Sequence, residues 1–362
     1  MNEATVQHLI FERYINVQDH PSGTLEILNY TPKTQFEKKW NDITLVCRGL
    51  IRDKNTKKIV ARGLPKFFNY SEIKNDPKYI NEISKLPFEV YDKIDGSCGI
   101  LYWYNNEPYI ATRGSFESPQ AKHASTLLHN KYKLLLGNNF DLLDRNLTYV
   151  FEIIYPENKI VVDYKDIDDI FIICAFDTDS GNEVSTPDNL PFPKVKKFQF
   201  SNLSDNKSEN NIKEILKIQD PKNEGFVIRY ANGYRMKIKF EEYKRLHNIV
   251  TRISSIDIWQ NLMDDKSFDE ILEIVPDEYY EWIKNKKESI ELDYQEVEME
   301  AMIMYNEVQY LPRKDVAKHL HFHKYTSIVF LMLDKHNYKQ KIWSMIKPKF
   351  ERPFSSRFAN ED

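Results

Sequence analysis

Pro87-Phe-Glu-Val-Tyr-Asp-Lys93-Ile-Asp-Gly-Ser97-Cys-Gly-Ile-Leu-Tyr-Trp-Tyr104 is the stretch on which the reading of this chain turns. Two runs rich in Val, Ile, Tyr, Phe and Trp flank a polar centre, and such runs bounded by turn-forming residues read as β-strands. Between them, Asp95-Gly96-Ser97 makes a tight turn whose backbone and short side chains can approach a ligand closely. Lysine is a nucleophile only when neutral, and nearby cations or desolvation bring its pKa down far enough. Lys93 at the head of this turn is therefore either an exposed turn residue or a placed nucleophile. The motif alone does not decide, because Lys-x-Asp-Gly arises by chance in roughly one chain of this length in ten.

Outward from that stretch, strand-like runs recur at Tyr149-Val-Phe-Glu-Ile-Ile154 and Phe171-Ile-Ile-Cys-Ala-Phe176, with a helical stretch expected near Gln120–Leu136. The ten glycines end at Gly233, leaving the last 129 residues without one, which points to helices joined by glycine-free loops. The 362 residues are more than one average core needs. The expected class is α+β: an N-terminal domain over 1–245 with antiparallel sheets, then an all-helical C-terminal domain over 246–362. Pro276-Asp-Glu reads as a helix start, with a long helix running from it towards Tyr310 and stopping before Pro312. Ser201–Asn211 is polar and reads as a surface loop.

Charge divides the C-terminal part. Residues 251–310 hold 5 basic and 16 acidic side chains, net −11, whereas 311–352 hold 10 basic and 3 acidic, net +7. With 41% hydrophobic and 29% charged residues the chain belongs among water-soluble globular proteins. Its longest clean apolar run, Ser327–Leu333, is too short to span a bilayer, and Met1-Asn-Glu-Ala-Thr5 carries no secretory pattern. Cys47, Cys98 and Cys174 have no disulfide or zinc spacing, so a cytoplasmic location without membrane association is expected. A net charge of −4 means that any nucleic-acid site is a local basic groove.

Further motifs fall in order along the chain: Cys47-Arg-Gly-Leu50, Pro65-Lys-Phe-Phe-Asn69, Lys93-Ile-Asp-Gly-Ser97, Thr112-Arg-Gly-Ser115, Phe151-Glu-Ile-Ile-Tyr-Pro156, Glu224-Gly-Phe-Val-Ile-Arg229 and Lys237-Ile-Lys239. The series resembles the covalent nucleotidyltransferases. More narrowly it resembles the RNA ligase 1 family, the tRNA-repair type of ATP-dependent RNA ligase, over roughly residues 25–245. Independently, Ala231-Asn-Gly-Tyr234 reads as a two-residue hairpin turn. Pairing Ala231 with Tyr234 would set Ile228 opposite Lys237 and Phe226 opposite Lys239, placing Glu224, Phe226, Ile228, Lys237 and Lys239 on one face. Two lysines at period two suit a phosphate, and an acid beside them suits a metal ion on that phosphate.

What the resemblance implies is specific. Lys93 attacks the α-phosphate of ATP and holds AMP as a phosphoramide. Glu152 bonds the ribose; Glu224 holds Mg2+ or Mn2+; Lys237 and Lys239 meet the α-phosphate and offset transition-state charge. Arg48, Lys66 and, more loosely, Tyr30 surround the nucleotide and its phosphates, and Asp95 and Gly96 belong to the nucleotide-binding turn. Arg113 stands where the family has lysine, keeping the charge but not the geometry. Tyr243 matches a tyrosine required for activity, although a tyrosine packed beneath the site reads equally well.

The implied reaction joins the 5′-phosphate and 3′-hydroxyl ends of single-stranded or tRNA-like RNA through lysyl-AMP and an RNA adenylate. A monomer is expected, acting in tRNA repair, general RNA repair or phage counter-defence, with a separate kinase–phosphatase healing the ends. Two alternatives share parts of this reading. A capping-type guanylyltransferase uses the same lysine chemistry but continues into a β-barrel, which the glycine-free C-terminus disfavours. An inactive RNA-end-binding relative need not keep Lys93, Glu152, Glu224, Lys237 and Lys239 together.

Two C-terminal features stay open. His319-Leu-His-Phe-His323 stacks His319 and His323 if helical, as a metal pair or as part of a basic face. From Arg313 to Arg352, Tyr325, Phe330, Tyr338 and Trp343 interleave with lysines, as an RNA grip or as a helix pair with a core stripe of Ile328, Leu331, Met332 and Ile342. Asp264–Asp269 offers acids for a C-terminal metal, although no motif there matches residue by residue.

Overall fold

Alternating apolar side chains organise the first of two units, Met1–His247, around three sheets among the described residues. The structure, a computed structural model, describes residues 2–199, 209–220, 222–244, 253–268 and 280–351. One sheet joins β1 (Ile15–Asp19), β2 (Leu25–Tyr30), β3 (Arg48–Asp53) and β4 (Ile59–Ala61) in chain order. A second sets side by side β11 (Glu183–Val184), β10 (Asp169–Asp177), β9 (Leu147–Ile154), β7 (Ser97–Tyr104) and β8 (Glu107–Thr112). The third does the same with β12 (Lys197–Phe198), β6 (Phe88–Asp92), β13 (Gly225–Tyr230), β14 (Arg235–Lys239) and β5 (Phe68–Asn69). The sheets are antiparallel except where β14 meets β5, a parallel pairing. Helix and antiparallel sheet are thus mixed in this unit.

Period-two alternation on β9 decides what faces a ligand. Tyr149, Phe151 and Ile153 pack on Ala124, Leu128, Tyr132 and Leu136, which recur at helical spacing. Those four lie on a helical stretch from Pro119 to Leu136, with a π turn at Leu128–Tyr132, close to the span expected from the sequence. Each buried Leu, Ile or Phe among them contributes about 1.5–3 kcal/mol relative to exposure. Val150 and Glu152 therefore lie on the opposite face. A bulge between Ile172 and Cys174 brings Cys174 to the same side. In the third sheet Phe88, Val90, Phe226, Ile228, Met236 and Ile238 pack with Ile73, Tyr79 and Ile212. That leaves Glu89, Tyr91, Val227, Arg229 and Arg235 facing a cleft shared with Cys98, Glu152 and Cys174.

The β13–β14 hairpin differs from its expected register. Ala231, Asn232 and Gly233 form a three-residue loop: the Tyr230 amide donates to Tyr234 O and the Gly233 amide to Tyr230 O, both at 2.8 Å, with Gly233 at φ +82°. A turn closed by a left-handed residue is a common hairpin form, and glycine fits that position. Val227 thus pairs with Lys237 and Gly225 with Lys239, one residue off the expected pairing. A one-residue slip reverses every face. Phe226 and Ile228 enter the core, while Val227 and Arg229 share the face of Arg235, Lys237 and Lys239.

The second unit, Asn248–Asp362, contains helices Ser255–Met263, Tyr280–Val308, Arg313–His319, Thr326–Leu333 and Lys339–Met345, and no strand among its described residues. A capping box between Ser254 and Asp257 starts the first of them. Val297, Ala301, Val308, Val316, Leu320, Ile328 and Ile342 form the core. The long helix ends before Pro312 as expected, but its expected start at Pro276 lies outside the described residues. So do 201–208 of the expected loop, whose last residues, Glu209–Asn211, begin helix Glu209–Lys217. No helix among the described residues is long and apolar enough to cross a membrane.

Candidate active site

Backbone bonding fixes Lys93 where β6 ends. Its amide donates to Gly225 O at 2.9 Å, which ties the start of the Lys-Ile-Asp-Gly turn to the start of β13. Asp95 anchors the turn from below: its Oδ2 accepts the amides of Val161 and Val162, each at 2.9 Å, and its Oδ1 accepts the Tyr243 hydroxyl at 2.8 Å. The Asp95 amide donates to the Tyr164 hydroxyl at 2.8 Å. Asp95 and Tyr243 are buried and serve to shape the turn.

Glu224 joins two lysines. Its Oε2 lies 2.7 Å from Lys93 Nζ and its Oε1 lies 3.0 Å from Lys239 Nζ, with the Glu224 side chain 3% exposed. Gly225, at φ +152°, follows it, and a Cβ there would fall 2.0 Å from Ile238 O. Only a glycine lets β13 approach β14 this closely where Glu224 enters. The register error therefore does not separate Glu224 from Lys239. Burial works against the Glu224 charge, but Lys93 and Lys239 outweigh it and hold the carboxyl below its ordinary value. Both oxygens are engaged by ammonium groups, so Glu224 is not a free metal ligand in this state.

The cleft beside Lys93 has a volume of roughly 860 Å³, within the ~300–1,000 Å³ of small-molecule sites. Arg48, Lys93, Gly96, Arg113 and Glu152 line it. Glu152 Oε1 accepts the Gly96 amide at 3.1 Å. Burial drives its pKa up to about 7, with Glu224 adding to the rise and Lys93, the Gly96 amide and Arg48 opposing it. Arg48 Nη1 donates to Leu64 O at 3.1 Å. Arg113 Nη1 donates to the Tyr30 hydroxyl at 3.3 Å, which links those two candidates. Lys66 is buried, donates to Gln35 Oε1 at 2.7 Å and lies 5.3–5.5 Å from the Tyr30, Trp40 and Phe68 rings. Tyr30, Lys66, Asp95, Glu224, Lys237, Lys239 and Tyr243 are not among the residues lining the cleft. Lys239 Nζ also sits 5.0 Å from the Tyr243 ring.

The cleft continues past Asp92 into a charged group that sequence reasoning missed. Arg229 Nε and Arg235 Nη2 donate to Glu183 Oε1 at 3.0 and 2.6 Å, and Arg229 Nη1 donates to Glu89 Oε2 at 3.3 Å. The Tyr91 hydroxyl donates to the same Glu89 oxygen at 2.8 Å. Burial first, then Glu89, push the Tyr91 hydroxyl up to about 12. Asp92 is also raised, chiefly by burial. The correct hairpin register would have revealed Arg229 and Arg235; Glu183 has no local signal.

The C-terminal candidates come apart. The helix Arg313–His319 ends at the first histidine and Phe322 takes φ +85°, so His319 and His323 do not share a helix face. Tyr325 is buried in the core, and Phe330 and Tyr338 pack against it. The Trp343 ring lies 4.6 Å from that of Tyr294, tilted by 39°. Ile328, Met332 and Ile342 are core residues, and Leu331 is half-buried. Asp264 pairs with Lys266 at 3.1 Å; Asp269 lies outside the described residues. Among the described residues no group of three or more His, Cys, Asp or Glu is placed to hold a metal.

A lysine paired with a buried carboxylate, beside a cleft lined by Glu152, Arg48 and Arg113 among other charged groups, has the groups that nucleotidyl transfer requires. The chain belongs to the RNA ligase family, whose match covers residues 46–244, more than half of its length. It is 24% identical over 326 residues to an RNA ligase of Rhodothermus phage RM378, covering 73% of each chain. It is 25% identical over 296 residues to a protein of Autographa californica nuclear polyhedrosis virus, provisionally described as a bifunctional polynucleotide kinase/RNA ligase. That alignment covers 75% of this chain but spans only 40% of the viral protein. Among solved structures, a provisionally described ATP-dependent DNA ligase from Aquifex aeolicus aligns with a TM-score of 0.47 at 18% identity, over 92% of this chain and 78% of that one.

Proposed function

We propose that this chain is an ATP-dependent RNA ligase that joins a 5′-phosphate to a 3′-hydroxyl by way of AMP held on Lys93. The observation that carries the reading is the Lys93–Glu224–Lys239 bridge at 2.7 and 3.0 Å, within the family's span and beside the cleft. Lys93 Nζ gives up an ammonium proton to solvent and attacks the α-phosphorus, the bond to pyrophosphate breaks, and a phosphoramide forms. Glu224 orients the amine before attack. Once the lysine nitrogen carries the adenylyl group its positive charge is gone, and Glu224 Oε2 loses that partner. Lys239, still paired to Oε1, and Lys237 one period along the same strand supply positive charge for the transferring phosphate. Arg48 and Arg113 suit the outer phosphates, and Glu152 suits the ribose hydroxyls. An RNA 5′-phosphate then takes AMP from Lys93, and a 3′-hydroxyl displaces it.

A divalent cation, Mg2+ or Mn2+, supplies charge neutralisation on these phosphates. Magnesium uses one or two protein carboxylates together with substrate phosphates. A single carboxylate, Glu224, and no closed cage among the described residues fit such an ion. The proposed arrangement is an adenylyltransferase domain over 1–245 and an RNA-substrate domain over 246–362. The enzyme is a cytoplasmic monomer in RNA or tRNA repair, acting on single-stranded or tRNA-like ends healed by a separate kinase–phosphatase.

The test uses 5′-labelled, 5′-phosphorylated single-stranded RNA with a 3′-hydroxyl, magnesium and either ATP or GTP. Circular or joined product with ATP, and none with GTP or with a 5′-hydroxyl strand, is expected. Product with GTP alone, or none from an enzyme that binds the RNA, would reject the proposal.

A further inference from the structure

The segment His319–His323 adopts a conformation that points to a surface site. Leu320 and Tyr325 are anchored in the core, and between them His321, Phe322, His323 and Lys324 are all exposed. The base of this turn is tied: Thr326 Oγ1 lies 2.6 Å from Leu320 O and 2.8 Å from His323 O, and the His323 amide donates to Leu320 O at 2.9 Å. At its tip Phe322 is 100% exposed and sits at φ +85°. A bulky L-residue in the left-handed region is strained, and such strain persists where its surroundings enforce it and clusters at functional sites. The His321 ring braces the phenyl edge-on, with centroids 4.0 Å apart at 87°.

The surroundings are cationic. Arg313, Lys314, Lys318 and Lys324 are exposed within 313–325, where Asp315 is the single acid. Arg313 is held by Asp334, and Lys324 is engaged first by the Tyr325 hydroxyl and then by Glu300 and Glu296 on the long helix. An exposed ring among lysines and histidines matches the way proteins hold single-stranded nucleic acid, with bases stacked on aromatics and phosphates on cations. A protein partner would need apolar neighbours around Phe322, and its neighbours are charged or polar.

We propose that Phe322 is a stacking platform for an unpaired base of the RNA substrate, with Lys318 and Lys324 taking adjacent phosphates. This rests on the RNA ligase reading above. The experiment measures binding of a fluorescent single-stranded RNA to the full chain by anisotropy, over a salt series, for wild type, Phe322→Ala, Phe322→Trp and Lys318→Gln/Lys324→Gln. Label transfer from α-labelled ATP to each protein is followed in parallel. Phe322→Ala should weaken binding roughly fivefold to a hundredfold, as loss of one base stack does. Its salt slope should be unchanged, and Phe322→Trp should restore affinity. The double lysine variant should instead flatten the slope, and adenylate formation should be unaltered in all. Binding by Phe322→Ala equal to wild type would overturn the site. If wild type takes up no adenylate while RNA binding still depends on Phe322, the ligase reading fails and the platform stands.

Discussion

Glu224 satisfies two ammonium groups with one carboxylate, and that economy makes it sensitive. Removing it as Glu224→Ala leaves Lys93 and Lys239 facing each other with Lys239 9% exposed. A buried pair broken from one side costs about 3–5 kcal/mol. Urea unfolding should show a loss of that order, whereas Lys93→Ala, which leaves Glu224 paired with Lys239, should unfold close to wild type. Glu152 gives a pH prediction. Its pKa is raised to about 7 from 4.5, so the folded state binds a proton that the unfolded state releases between those values. The stability it contributes is complete below pH ~4.5 and is lost as pH rises through about 7, on the order of 3 kcal/mol. Glu152→Gln should therefore gain stability relative to wild type across that window. A difference in urea midpoint that stays flat from pH 4.5 to 7.5 would contradict the burial of an ionised Glu152. Lys93, Glu152 and Glu224 were legible because each sits in a motif with fixed spacing. Glu89, Glu183 and Tyr91 were not, since their neighbours in space come from different strands.

The nucleophile turn is held by a separate element, the irregular stretch around Val161, Val162 and Tyr164. Asp95 accepts two amides from it and returns its own amide to the Tyr164 hydroxyl. Tyr164→Phe should leave that amide without its acceptor, at a cost of about 1–3 kcal/mol. It should slow adenylation more than it weakens nucleotide binding. Tyr243→Phe acts on the same Asp95, so the two substitutions together should be non-additive in a double-mutant cycle. Additive effects would mean that the two tyrosines act independently. At this scale strands and their alternation were readily legible in the residues, because β9 and the helix Pro119–Leu127 carry clean periods. The hairpin register was not, because Asn232-Gly233 serves a two-residue and a three-residue loop equally well, and a single residue inverts every face.

Over the whole chain, charge is unevenly placed: −11 over 251–310 and +7 over 311–352. The exposed lysines of the second group, including Lys314, Lys318, Lys335, Lys339 and Lys341, offer phosphate contacts. Changing these five to glutamine should lower RNA affinity and reduce the slope of log affinity against log salt, while leaving adenylation intact. An unchanged slope would remove the second unit from RNA binding. The absence of glycine after Gly233 pointed to a helical second part, and its described elements are helices. The aromatics there could not be sorted by pattern, since a helix that packs on one face and grips on the other has one period for both uses. Tyr325 entered the core, whereas Phe322, which has no place in that period, is fully exposed.

The most direct measurement incubates the purified chain with ATP and magnesium, digests it and maps the adenylate by mass spectrometry, beside a parallel GTP reaction and Lys93→Ala. One adenylate, on the peptide containing Lys93, formed from ATP and absent from the folded Lys93→Ala variant, is the expected result. An adenylate on another residue, or RNA joining by a chain that never carries one, would contradict Lys93 as the nucleophile.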